Sequence, residues 1–195
     1  MLPNEFILLD AEYTCWEGSM ARNWSQVWEH REVVQIGALR IKTQGLLEVV
    51  DQLNVISRPK INPLLSTYFS DLTGITQAKL EVDGVDFPVA YDSVARFTEG
   101  GTLPVYTWGD GDEAALRETC ALHGIEFEQT FKQPYVDIRA HFRSHGVKVE
   151  NYQSGTVYKS VNAIAQGLPH DALGDVLSMY VVIKALSEQG EPQNG

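Results

Sequence analysis

Phe6-Ile7-Leu8-Leu9-Asp10-Ala11-Glu12 is an apolar run that ends in two carboxylates. Four large apolar residues in a row, without polar alternation, read as a strand buried on both faces. Residues two apart on a strand share a face, so Asp10 and Glu12 project to the same side. Neighbouring carboxylates repel and drive one another's pKa upward unless a cation lies between them. Oxygen-seeking divalent cations, Mg²⁺ or Mn²⁺, suit such a pair. For an isolated Asp-x-Glu, a solvated strand end opening a loop is the plainer alternative.

Working outward, Val33 to Ile41 and Leu46 to Ile56 read as two more strands, with a turn at Thr43-Gln44-Gly45 between them. Leu103 to Trp108 is a short apolar strand, and Tyr135-Val136 a last one. Helices are expected from Asn62-Pro63 to about Leu72, closed by Gly74, and from Phe87-Pro88 to Glu99. Asp110, with Glu113 three residues on, reads as a capping box for a helix ending at His123-Gly124. Further helices are expected over Asp137 to Ser144, Lys159 to Gln166 and Asp171 to Glu188. Consecutive strands followed by alternating helices and strands imply an α/β fold. The expected sheet is mixed and five-stranded, an antiparallel meander continued by parallel strands. Residues 1–189 would form one domain and 190–195 a disordered tail. The first strand and Leu103 to Trp108 would be parallel neighbours, and ligands in such sheets gather at the carboxyl ends of strands.

Composition narrows the function classes. A formal net charge of −11 speaks against a non-specific duplex binder, which needs a broad basic surface. It leaves room for a nuclease that grips a few nucleotides through bound cations, which would be the largest local charges. No run of about 18 apolar residues suggests a membrane span, and Met1 to Glu5 lacks the basic start of an export signal. Cys15 and Cys120 are too few for a disulfide framework and have no metal-binding spacing, so a cytoplasmic location is expected.

Two later acids and a histidine complete the chemistry. Asp112 falls in the first turn of its helix, where a carboxylate also has a helix-dipole reason to sit. If Asp110 takes the capping role, Asp112 is free to project toward the sheet end. His170 and Asp175 are five apart, about 140° around a helix, so they cannot share a face if both are helical. His170 therefore belongs on the loop before the last helix and Asp175 in its first turns. Imidazole is suited to take a proton from water near neutral pH. Asp171, one turn before Asp175, could be the helix cap or an alternative ligand.

The set Asp10, Glu12, Asp112, His170 and Asp175 resembles the DEDDh (DnaQ-like) 3′–5′ exonucleases, whose fold is ribonuclease H-like. The matching motifs are Phe6 to Thr14, Tyr106 to Leu116 and His170-Asp171-Ala172-Leu173-Gly174-Asp175. Glu32 to Ala38, Leu72 to Thr76 and Ser160 to Leu168 add to the likeness, which looks closest to the Eri1-like branch and a sporulation-kinase-inhibitor group. The resemblance implies that Asp10, Glu12, Asp112 and Asp175 hold two divalent cations, Mg²⁺ or Mn²⁺, about 4 Å apart. It implies His170 as general base, and Thr14 or Ile75 as contacts to the terminal nucleotide. The implied reaction is hydrolysis from a 3′ end of single-stranded or short RNA or DNA, releasing nucleoside 5′-monophosphates.

The chain departs from the family pattern in three places. Leu168-Pro169-His170 leaves almost no loop after the expected helix, and Gly174 replaces a common acidic residue. The insertion Cys15 to Arg31 carries Trp16, Trp24 and Trp28, which would stack on bases or pack as a lid or partner surface. Arg22 and Arg31 are the nearby candidates for phosphate clamps. Haloacid-dehalogenase-like phosphatases need Asp at both positions of the first pair, and here the second is Glu12. A regulatory protein that keeps the exonuclease scaffold without turnover is the alternative of another class, supported by the acidic surface and the aromatic insertion.

Overall fold

The computed structural model describes residues 2–44 and 47–190. Strand β1 (Glu5–Tyr13) lies inside the sheet. It pairs antiparallel with β2 (Val33–Lys42), which pairs antiparallel with β3 (Glu48–Arg58). On its other side β1 runs parallel to β5 (Val105–Thr107), with Ile7 opposite Val105, and β5 runs parallel to β6 (Val136–Asp137). The expected meander and parallel pair are therefore present. Among the described residues the sheet has six strands rather than five, running from β4 (Val85–Asp86) at one edge through β3, β2, β1 and β5 to β6. The extra strand, β4, is two residues long and pairs parallel with β3. A strand that short has no period to read. The expected turn at Thr43-Gln44-Gly45 and the start of the next strand at Leu46 lie partly outside the described residues, as does the tail beyond Gly190.

Alternation along β1 sorts the two layers. Ile7, Leu9 and Ala11 face a core built with Phe87, Tyr91 and Val94 of α3 (Phe87–Phe97) and Ala115 and Leu116 of α4 (Gly111–Leu122). Phe6 and Leu8 face the opposite core, with Ile138 and Phe142 of α6 (Ile138–Ser144) and Val176, Met179 and Val182 of α7 (Ala172–Gly190). Asp10 and Glu12 continue the Phe6–Leu8 side, so they point toward the layer that carries α7.

Two expected helices differ, and two short helices are additional. Helix α1 (Thr67–Thr73) starts at the Ser66 cap, whose hydroxyl accepts from Phe69 N at 2.9 Å. It cannot start at Asn62, because the buried Glu32 carboxylate takes the N–H groups of Lys60, Ile61 and Asn62 at 2.5–2.8 Å. Those amides are bent around an anion instead of opening a helix. Helices α2 (Gln77–Asp83), capped by Thr76, and α5 (Phe127–Thr130) were not expected. Each is too short to show an apolar stripe. The helix expected over Lys159 to Gln166 is a 3₁₀ segment at Ser154–Val161, ended by Asn162 in the left-handed region at φ 54°. Residues 162–171 are consequently irregular, and His170 sits on a long loop instead of directly after a helix. Among the described residues, no helix is long and apolar enough to cross a membrane.

Candidate active site

Asp10, Glu12, Asp112, His170 and Asp175 all line one cavity of about 550 Å³ at the carboxyl end of β1. Asp10, Asp112 and Asp175 are buried. The β1–β2 register slips between Glu12 and Tyr13, a bulge that ends regular pairing where the acids gather. Asp112 Oδ1 accepts from Ala11 N at 3.2 Å, which ties the start of α4 to β1 between the two strand acids. Both oxygens of Asp175 are also occupied: His170 N donates to Oδ1 at 3.0 Å and Ser154 Oγ to Oδ2 at 2.6 Å. His170 has φ 62°, a conformation a non-glycine residue rarely adopts and one concentrated at functional sites. A ring nitrogen of His170 and one carboxylate oxygen each from Glu12 and Asp175 all lie within 4.8 Å of one another.

The expected capping box is absent. Asp110 makes no side-chain cap bond. Gly109, at φ 88°, turns the chain so that Asp110 is already in helical conformation. Its side chain therefore cannot fold back over the first turn. Glu113 instead holds Arg117 at 2.7 Å and Tyr135 N at 2.8 Å. Asp112 points inward because it is buried against Ala11, not because Asp110 relieves it of a cap.

Without counter-charge these acids are strained. Burial first, then Asp112, Asp175 and Glu12, hold the Asp10 carboxyl well above the usual range. Burial, followed by Asp175 and Asp112, pushes Glu12 from 4.5 up to about 9. Asp112 rises from 3.8 to about 7, chiefly through burial, against the lowering effect of the Ala11 bond. Asp175 is raised too, again first by burial. Buried carboxylates that raise one another in this way fit divalent cations, which supply the charge the site lacks.

A pH dependence follows. The folded, metal-free protein keeps protons on Glu12 and Asp112 that the unfolded chain has already released, so their contribution to stability is complete below about pH 4 and lost as pH rises through about 7 and 9. His141, pushed down to about 4, gives the opposite slope only below 6.5 and does not enter this window. In chelator, the melting temperature is expected to fall by more than about 5 °C from pH 6.5 to 9, and Mn²⁺ should reverse the fall. Thermal melts with and without Mn²⁺ check this. A flat, metal-insensitive melt would count against the cluster as a cation site.

The start of α7 is fixed from β2. Gln35, opposite Glu12 in the sheet and buried, donates to Asp171 Oδ1 at 2.7 Å and accepts from Ala172 N at 3.1 Å. Asp171 Oδ2 in turn accepts from Gly174 N at 3.1 Å. Asp171 is thus the cap and anchor of α7, one of the two roles the sequence left open. Gly155 lets the 3₁₀ segment approach the site, since a Cβ there would lie 2.2 Å from Asp175 Oδ1.

Four sequence-based expectations change. The Thr14 hydroxyl is occupied by His30 O at 2.5 Å and Glu32 N at 3.0 Å, and Thr14 does not line the cavity. Ile75 packs in the core with Val34, Phe69 and Leu80, away from the lining. Tyr68 and Leu72, from α1 just before it, line the cavity instead. Arg22 is paired with the buried Glu29, and Arg31 with Glu118, so neither is a free phosphate clamp. Ser154, Gln153 and Trp108 also line the cavity and were not anticipated. Their sequence neighbourhoods carry no pattern that distinguishes them from loop residues.

Among known proteins, no family model matches the chain. The Drosophila melanogaster 3′–5′ exonuclease Snipper is 23% identical over 214 residues, spanning 97% of this chain and 72% of its own length. The Rattus norvegicus 3′–5′ exoribonuclease 1 is 26% identical over 195 residues, spanning 94% of this chain. This chain takes in only about half, 53%, of the rat protein. Among solved structures, the nuclease domain of 3′hExo, a DEDDh family member bound to rAMP, superposes with TM-score 0.79 at 21% identity, covering 96% of this chain and 93% of that one. Cell-death related nuclease 4 gives TM-score 0.75 at 18% identity, covering 96% of this chain and 64% of its own. The fold is therefore the ribonuclease H-like fold of the DEDDh exonucleases, with an acidic cluster at the expected end of the sheet.

Proposed function

We propose that this chain is a metal-dependent 3′–5′ exonuclease that removes nucleoside 5′-monophosphates from single-stranded or short nucleic acids. The observation that carries the reading is the convergence of Asp10, Glu12, Asp112, Asp175 and His170 on one cavity. Two divalent cations, Mg²⁺ or Mn²⁺, held by the four carboxylates would activate the attacking water and stabilise the leaving 3′-oxygen.

The chain's own residues do the rest. His170 would accept the proton of the attacking water on a ring nitrogen that lies close to Glu12 and Asp175. Ala11 N and Ser154 Oγ fix the orientation of Asp112 and Asp175, so little reorganisation is left for the moment of reaction. Tyr68, Leu72 and Trp16 wall the cavity with apolar surface and limit entry of bulk water.

The test is incubation with Mn²⁺ and matched RNA and DNA oligonucleotides, following products by chromatography. Single-nucleotide shortening with 5′-monophosphate release is expected, and His170→Ala should slow it by roughly 10²–10⁴-fold. If wild type and His170→Ala protein are equally inert, the regulatory alternative replaces the enzyme.

A further inference from the structure

We propose that an exposed apolar ledge beside the cavity mouth binds unpaired bases upstream of the terminal nucleotide. Stacking on this ledge, rather than phosphate contact, would then grip the strand. The inference rests on the exonuclease reading of the cavity. The ledge comprises Met20, Trp28, Ile61, Leu64 and Tyr68. Met20 is 79% exposed, Trp28 50% and Tyr68 43%, unusual values for side chains of this kind.

The ledge is continuous with the site. Met20 and Tyr68 themselves line the cavity, as does Trp16. Trp28 stands edge-on to Trp16 with ring centres 4.8 Å apart. Trp28 O accepts from Asn62 Nδ2 at 3.1 Å, which joins the insertion to the segment that carries Ile61 and Leu64. Ser66 Oγ, at the start of α1, donates to Cys15 O at 2.5 Å. Nucleic acid leaving the cavity on this side meets these side chains next.

The insertion is also built rather than loose. Glu29, with no exposed side-chain surface, accepts from Ser19 Oγ at 2.7 Å and pairs with Arg22. Ser19 Oγ accepts from Trp16 N at 2.9 Å, and Trp24 Nε1 donates to Thr14 O at 2.9 Å. Trp24 packs against Tyr13 and lines the cavity beside Trp16, and Trp28 is the more exposed ring outside it.

Charge selects the occupant. Among the described residues that line the cavity, none is Lys or Arg. The cations around the ledge are directed elsewhere: Arg22 to Glu29, Arg31 to Glu118, Arg58 to Asp86, and Lys60 to the Leu122 carbonyl. A chain of net charge −11 repels a polyphosphate, whereas an uncharged base has a π-face that suits exposed Trp and Tyr rings.

The protein titrated in Ca²⁺ with fluorescent oligothymidylates of two and six nucleotides, at two KCl concentrations, reads this directly. The hexamer should bind at least about tenfold tighter than the dimer, and the gain should vanish when its upstream bases are abasic. The salt slope should stay near that of one phosphate, about 0.7. Trp28→Ala should weaken hexamer binding about tenfold and leave the dimer unchanged, with Trp28→Phe restoring affinity. A slope worth several phosphates, retained affinity for the abasic hexamer, or Trp28→Ala protein that melts and binds like wild type would overturn the ledge as a base platform and leave it as a protein-docking surface. If hexamer binding follows expectation while Mn²⁺ yields no mononucleotide, the exonuclease reading fails and base stacking stands.

Discussion

Asp10→Asn is expected to cut metal-dependent mononucleotide release by at least about a thousandfold while raising the melting temperature of the metal-free protein at pH 8. The two effects have one cause. Asp10 is buried and faces Asp112, Asp175 and Glu12, each of which raises its carboxyl. Asparagine keeps the shape but removes a charge the metal-free fold must either protonate or tolerate. Relief of that repulsion should add several degrees to the melt. Mn²⁺ should then stabilise the wild type far more than the variant, because the variant has lost a donor. Paired melts and an exonuclease assay check both halves. A variant that stays active, or melts lower than wild type in chelator, would sink the account of Asp10 as a strained cation ligand.

Gly37→Ala is expected to lower the melting temperature by about 10 °C and turnover by roughly a hundredfold, although Gly37 touches no reacting group. A Cβ there would lie 2.3 Å from Leu173 N and 2.4 Å from the Ala172 carbonyl carbon. These are backbone atoms at the start of α7, so no side chain can swing aside. The helix start must lift, straining the Gln35–Asp171 bond of 2.7 Å and displacing Asp175 with it. Gly124→Ala is the control. That residue has φ 68° with nothing within 4 Å of its would-be Cβ, so a cost of about 1 kcal/mol from backbone strain is expected with turnover intact. Equal loss of turnover in both variants would remove the claim that close packing of α7 on β2 positions the site.

How much was legible differs from element to element. The buried strand at Phe6 to Leu9 was readable because continuous apolarity reports burial on both faces, and β1 does pack against two cores. The antiparallel pairing of β2 and β3 followed from the turn signal Thr43-Gln44-Gly45 between two strand-like runs. Helices α2 and α5 and strand β4 were not readable, being a turn or two long. Asn62-Pro63 looked like a helix start until Glu32, some thirty residues earlier, was seen to claim its amides. Arg22 and Arg31 looked like free cations for the same reason: their partners Glu29 and Glu118 announce themselves only in space.

By itself, the sequence determined that Asp10 and Glu12 project from one face of a strand and that His170 stands off the helix carrying Asp175. Both statements depend on the local periods of strand and helix, which a few consecutive residues fix. Only the tertiary structure decided that Asp112 turns inward onto Ala11, that Asp171 anchors α7 to Gln35, and that Tyr68 and Leu72 rather than Thr14 and Ile75 face the cavity. Those outcomes rest on pairs such as Gln35 and Asp171, separated by 136 positions in the chain. No local pattern records which distant side chain fills a hydrogen bond, since that choice is made by packing the layers against the sheet.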